Sequence, residues 1–211
     1  MVLNKQTKTW SSDFGKEYTE RNIYSPTELD TFYTNQFGVT RRNMNEEFLS
    51  EFIDKEAKIL EVGCNVGNQL RLLQEMGYKN LYGIELQDYA VEKAKELTNG
   101  INIIKGSGDD LPFRDGYFDL VFTSGVLIHI PPSILEKVQT EILRCTNSYV
   151  WGFEYFSEKY QEVNYRGNEA MMWKGDFCQL YQDIASVKVI KYETYKYKEN
   201  ENLDQMFLLR K

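Results

Sequence analysis

Residues 57–67 read Ala57-Lys58-Ile59-Leu60-Glu61-Val62-Gly63-Cys64-Asn65-Val66-Gly67. The reading of this stretch decides the fold. Ala57–Val62 is a short, mostly apolar run of strand length, and a helical pattern opens just after Gly67. Between them the two glycines let the backbone turn sharply and approach a ligand with no side chain in the way. The helix that follows aims its N-terminal amides at the same place. A second strand, Leu81-Tyr82-Gly83-Ile84, ends at Glu85, 22 positions after Gly63. A carboxylate at that strand end can accept hydrogen bonds from both hydroxyls of a ribose. A dinucleotide fold would want a third motif glycine where Asn65 stands, so a nucleoside ligand without a pyrophosphate is the better reading.

Working outward, strand-like runs alternate with helical ones. A helix over 68–76 stops at Gly77, and Asp88–Leu97 is helical with Ala90, Val91, Ala94 and Leu97 on one face. Ile101–Ile104, Phe118–Thr123 and Ser148–Phe153 are further strands, with a helix from Pro132 to Arg144. Such alternation implies a parallel sheet covered on both faces. Val187–Tyr197 and Asp204–Leu209 have no helix between them, so they pair as a terminal antiparallel hairpin. Residues 1–50 are instead a helical extension. Ser25-Pro26-Thr27-Glu28 is a helix start with a capping box, and a second helix is expected to start at Asn43. The expected division is an extension or lid over 1–50 and a catalytic domain over 51–211.

The chain has 211 residues and a net charge of -7, which suits one acidic domain and disfavours a phosphate-backbone partner. No run is long and apolar enough for a membrane span, and Met1–Lys8 is too polar to act as an export signal. Cys64, Cys145 and Cys178 are too far apart for a zinc knuckle and odd in number, which fits reduced thiols and a cytoplasmic location. With His129 the only histidine, no metal site is expected.

Three segments carry a resemblance. Ile59–Asn68 resembles the first motif of class I S-adenosylmethionine-dependent methyltransferases. Gly106-Ser107-Gly108-Asp109-Asp110-Leu111-Pro112-Phe113 resembles their motif after the third strand, and Phe118–Ile130 resembles the fourth. The resemblance implies a Rossmann-like α/β fold with a mostly parallel seven-stranded sheet, a C-terminal antiparallel hairpin and N-terminal helices. It also implies S-adenosylmethionine as cofactor and S-adenosylhomocysteine as product. Gly63 then passes under the methionine part, Glu61 orients its amino group and Glu85 holds the ribose. Cys64, Asn65, Gly67 and Leu86 belong to the same two strand-end turns. Gly108 and Asp109 meet the adenine, with Ser107 where the family usually has aspartate, and Thr123 and Ser124 line the floor near the sulfonium.

The acceptor is read from the flanks. Phe14–Asn22, Glu154-Tyr155-Phe156, Val163–Gly167 and Trp173–Phe177 are similar to the methylases associated with pseudaminic acid biosynthesis. That resemblance implies an acidic sugar or nucleotide-sugar of surface or flagellar glycan assembly as acceptor. Arg166 would then pair with its negative charge, Tyr18, Asn22, Tyr155 and Tyr165 would border the ring, and Asp176 would bind nearby. Glu154, Asp176 and His129 are the candidate bases, although packing a turn is the favoured role for His129. A different metabolite, a protein acceptor and a nicotinamide-dependent oxidoreductase remain as alternatives.

Overall fold

The computed structural model describes residues 5–211. Residues 1–4, which begin the expected extension and the segment judged too polar for export, lie outside the described residues.

Nine strands and eight α-helices follow one another in the described chain. Four helices come first: α1 (Lys5–Trp10), α2 (Asp13–Arg21), α3 (Pro26–Phe37) and α4 (Arg41–Leu49). The capping box read from sequence is present. Ser25 accepts from the Glu28 amide, and the Glu28 carboxylate accepts from Ser25 N–H at 2.8 Å. Helix α4 starts two residues earlier than expected, because the Thr40 hydroxyl caps it by accepting from the Asn43 amide at 3.1 Å. Asn43 is therefore the third residue inside the helix and not its start.

Next come β1 (Lys58–Val62), α5 (Asn68–Glu75), β2 (Asn80–Glu85), α6 (Asp88–Leu97), β3 (Asn102–Lys105) and β4 (Phe118–Ser124). A 3-10 turn (Leu127–His129), α7 (Pro132–Cys145) and β5 (Thr146–Phe156) complete the parallel part. Its neighbours pair in the order β3-β2-β1-β4-β5, and the sheet continues through β9 (Leu203–Arg210) to β8 (Lys188–Lys196). Strand β9 is antiparallel to both β5 and β8, which is the expected terminal hairpin. Three elements were not foreseen: a separate hairpin of β6 (Gln161–Tyr165) and β7 (Asn168–Lys174), and helix α8 (Phe177–Ile184).

Alternation along β1 shows how both faces are covered. Ile59 joins a cluster with Leu70 and Leu73 of α5, Val91 of α6 and Phe48 of α4. Its neighbour Leu60 joins Val138 and Ile142 of α7 and Phe177 and Tyr181 of α8 on the other side. Side chains of period two on a strand make that division automatic. The sheet thus separates two apolar cores and leaves the C-terminal strand ends open as the ligand edge.

Candidate active site

The turn after β1 is built as the sequence implied. Gly63 has φ +73°, and a Cβ there would lie 2.7 Å from Val126 Cγ2, so neither the conformation nor the space suits another residue. Asn65 is also left-handed, at φ +46°. Its N–H donates to Glu85 Oε2 at 2.9 Å, while the amides of Leu86 and Gln87 donate to Glu85 Oε1 at 2.7 and 2.9 Å. Burial pushes the Glu85 carboxyl up, and these three amides pull it back. A carboxylate fixed in this way keeps its remaining lone pairs directed at the cavity.

That cavity has a volume of about 690 Å³ and is bordered by Glu61, Gly63, Cys64, Asn65, Glu85 and Leu86 at one end. Ser107, Gly108 and Asp109 adjoin them. Glu61 is 3% exposed, and its Oε2 has no hydrogen-bond partner. Burial raises its carboxyl well above the usual range, with Arg41 opposing. An unsatisfied buried acceptor is costly unless a ligand's donor completes it. Asp109 is less open to a ligand than expected, being hydrogen-bonded to Ser107 and 3.2 Å from Lys137 Nζ. Burial opposes its ionisation, but those two partners outweigh it and hold its carboxyl below the ordinary value.

Ser124, His129 and Glu154 border the cavity further along. Glu154 is fully buried and receives the amides of Val126 at 3.2 Å and Ile128 at 3.4 Å. Burial moves its carboxyl up to about 7 against the Thr123 hydroxyl and the turn amides. It anchors the 125–128 turn as well as facing the cavity. His129 Nδ1 lies 2.9 Å from the Met171 carbonyl, so Nδ1 must carry the proton and Nε2 is the basic nitrogen. Burial lowers its pKa to about 4, which makes it a weak base.

Five expected contacts lie away from the cavity. Gly67 shapes the turn from outside: it caps α5 at φ +76°, and a Cβ there would meet Thr98 Cγ2 at 3.1 Å. Thr123 is buried and serves Glu154 through its hydroxyl. Asp176 caps α8, accepting from the Gln179 amide at 2.9 Å and from Gln205 Nε2 at 3.1 Å. Arg166 sits exposed in the turn between β6 and β7, at φ +51°. Tyr165 packs beside Phe14 and His129, with ring centroids at 6.3 and 5.1 Å, just past the register slip between Val163 and Tyr165. The hairpin instead lines the cavity with Val163 and Met172.

Tyr18, Asn22 and Tyr155 do border the cavity. So do several residues that no motif singles out. Trp10 lies edge-on to His129 at 4.7 Å and to Tyr18 at 5.2 Å. Gln69 is 7% exposed, with its Oε1 unpartnered. Tyr33, Phe153, Tyr197 and Asp204 form the far wall. Helix α2 and its C-cap are tied to the turn after β1 by Thr19 Oγ1 donating to Asn65 Oδ1 at 3.0 Å and Asn68 Nδ2 donating to the Asn22 carbonyl at 2.7 Å.

Residues 60–151 match the family described as a methyltransferase domain. Over that stretch the chain is similar to class I, S-adenosylmethionine-dependent methyltransferase domains. Sterol 24-C-methyltransferase of Yarrowia lipolytica is 26% identical to it over 161 residues, covering 69% of this chain and 41% of the relative. The 24-methylenesterol C-methyltransferase 3 of Arabidopsis thaliana is 28% identical over 160 residues, covering 67% and 43%. The chain thus spans less than half the length of these curated relatives. Among solved structures, magnesium protoporphyrin IX methyltransferase from Synechocystis PCC 6803 with bound S-adenosylmethionine superposes at TM-score 0.70 with 12% identity, covering 100% of this chain and 99% of that one. A protein from Pyrococcus horikoshii OT3 superposes at TM-score 0.69 with 18% identity, covering 92% and 98%. These likenesses establish the fold. The class I fold, with its mostly parallel seven-stranded sheet, C-terminal antiparallel hairpin and N-terminal helices, is as the sequence motifs implied.

The residues present fit the cofactor. The orphaned Glu61 oxygen suits an ammonium, the amide-fixed Glu85 suits a ribose diol, and the bare Gly63 admits a chain passing against the turn. Among the described residues no group of three or more His, Cys, Asp or Glu could hold a metal ion, and no helix is long and apolar enough to cross a membrane.

Proposed function

We propose that this protein transfers the methyl group of S-adenosylmethionine to a small organic acceptor bound in the same cavity. The observation that carries the reading is the continuity of that cavity. It joins the turn and Glu85 at one end to the wall of Tyr155, Tyr197 and Asp204 at the other, and residues of α1, α2 and α3 line it. When bound, S-adenosylmethionine supplies a methyl group already activated on a sulfonium. The chain's own task is to hold and orient the nucleophile against that carbon, and to take the acceptor's proton. Glu61, Gly63, Glu85, Leu86 and Gly108 are the residues we assign to the cofactor, with Gln69 added. The names of the relatives specify a sterol and a porphyrin, which supports a small-molecule acceptor.

Residues 5–22, tied to Asn65 and Asn68, serve in this reading as a lid over the catalytic part, and the protein acts in the cytoplasm. All three cysteines are free and buried, as a reducing compartment would allow. The finer acceptor, an acidic sugar or nucleotide-sugar of glycan assembly, gains less support. Arg166, its intended anchor, stands outside the cavity, and no Lys or Arg is among the described residues that line it.

Calorimetry with S-adenosylhomocysteine and NAD tests the reading. We expect binding of the first and not the second. Glu85→Ala should weaken S-adenosylhomocysteine about 10–100-fold, the range for charged hydrogen bonds of roughly 1.5–3 kcal/mol. Binding of NAD alone would replace the reading with an oxidoreductase.

A further inference from the structure

Asp204 is a charged group of the cavity wall to which cofactor binding gives no task. It opens β9 opposite Tyr155 of β5 and is 7% exposed. Because β9 runs antiparallel to β5, its first residues lie beside the C-terminal ends of the parallel strands, the edge where open α/β sheets bind ligands. Tyr197 Oη stands 3.1 Å from both carboxylate oxygens. A single O–H cannot use up the lone pairs of two oxygens, so Asp204 retains acceptor capacity toward the cavity.

The surroundings of Asp204 select by charge. Tyr155 and Tyr197 are stacked with centroids 6.3 Å apart, and Tyr33 and Phe153 lie 5.6 Å apart. All four rings border the cavity. Its described lining contains carboxylates at both ends, with no Lys or Arg to balance them. The cation behind this wall, Arg41, is 0% exposed. It stacks on Tyr33, Trp151 and Phe153 without lining the cavity. Aromatic faces and a desolvated carboxylate attract a cation together, and both disfavour an anion.

We propose that the acceptor is an organic amine, bound as its ammonium against the Asp204 carboxylate and between these rings. The inference rests on the methyltransferase reading above and names the substrate class of that same site. The Asp204 carboxylate takes one N–H proton, and the freed nitrogen lone pair forms the C–N bond. The electron pair of the broken C–S bond stays on sulfur, leaving a methylated ammonium and a thioether. Burial pushes the Asp204 carboxyl up to about 7, with Tyr197 and Arg41 opposing. Amine binding therefore strengthens from pH 6 to pH 8 as the carboxyl ionises. The groups facing Asp204 are Tyr33 of α3, Arg41 of α4, Tyr155 of β5, Tyr195 of β8 and Tyr197 just beyond it.

The test uses the full chain and three probes with the same phenylethyl skeleton: phenethylamine, 2-phenylethanol and 3-phenylpropionate. Each is titrated calorimetrically into protein saturated with S-adenosylhomocysteine. We expect the amine to bind at least tenfold more tightly than the alcohol, and the carboxylate to bind more weakly still. Asp204→Asn should lower amine affinity at least tenfold while S-adenosylhomocysteine affinity stays within twofold, which also reports that the variant is folded. An alcohol or carboxylate that binds as well as the amine overturns the proposal, as does an amine that fails to bind wild type. Should Asp204→Asn fail to fold, the ranking of the three probes on wild type still decides. Failure of wild type to bind S-adenosylhomocysteine sinks the methyltransferase reading instead, so the two failures are distinct.

Discussion

His129 shows how one contact decides the use of a side chain. Its Nδ1 proton is committed to the Met171 carbonyl, and burial holds the ring neutral, with a pKa of about 4. The unfolded chain takes up that proton near the ordinary value of about 6.5. Between those values the unfolded state binds more protons, so this residue's contribution to stability is present above about 6.5 and is lost as the pH falls toward 4. Glu154 and Asp204, whose carboxyls are raised to about 7, act in the opposite sense, favouring the folded state as the pH falls. We therefore expect a difference measurement to isolate the histidine. The urea-midpoint stabilities of wild type and His129→Asn should converge on acidification from pH 6.5 to pH 4, by at most about 3 kcal/mol. A constant gap across that range would mean that the ring is charged in the fold or that its burial is incidental.

At the scale of elements, the strands and helices from β1 to β5 were legible because period and punctuation agreed. Apolar runs of strand length alternate with amphipathic helices, and Gly63, Gly67 and Gly77 mark the breaks. The hairpin β6–β7 and helix α8 were not legible. Gln161-Glu162-Val163-Asn164-Tyr165 is too polar to advertise a strand, and the left-handed pair Arg166-Gly167 that turns it falls in a segment that the resemblance marked for acceptor binding. In the site, Glu61, Gly63 and Glu85 were legible because a strand end and a glycine turn fix their positions. Trp10, Tyr33 and Asp204 were not, because they reach the cavity only through tertiary packing of distant segments. The lid belongs to this scale. Amide hydrogen exchange in 13–21 should slow on addition of S-adenosylhomocysteine, since closure rests on few contacts such as Thr19 to Asn65. Thr19→Val should remove most of that slowing, and equal protection in both variants would count against the lid.

For the whole molecule, the seam between β5 and β9 is where the parallel sheet meets its antiparallel edge. Gly152 of β5 stands opposite Phe207 of β9, and an added Cβ would fall 2.2 Å from the Phe207 ring. Gly152→Ala should therefore overpack the seam and lower stability by about 1–3 kcal/mol, read from the denaturation midpoint. Sterically neutral behaviour would show that β9 can shift outward without cost.

That seam also sets an order of assembly. Glu61, Glu85 and the turn that joins them come from neighbouring strands close in sequence, so their contacts close short loops. Asp204 takes its place only when β9 inserts between β8 and β5, where its partner Tyr155 lies 49 positions earlier (204 − 155), a longer-range pairing of the kind that forms more slowly. During folding, the half that grips the nucleoside can be complete before the half that chooses the acceptor exists. Recognition of the methyl donor would then mature earlier than selectivity for what receives it.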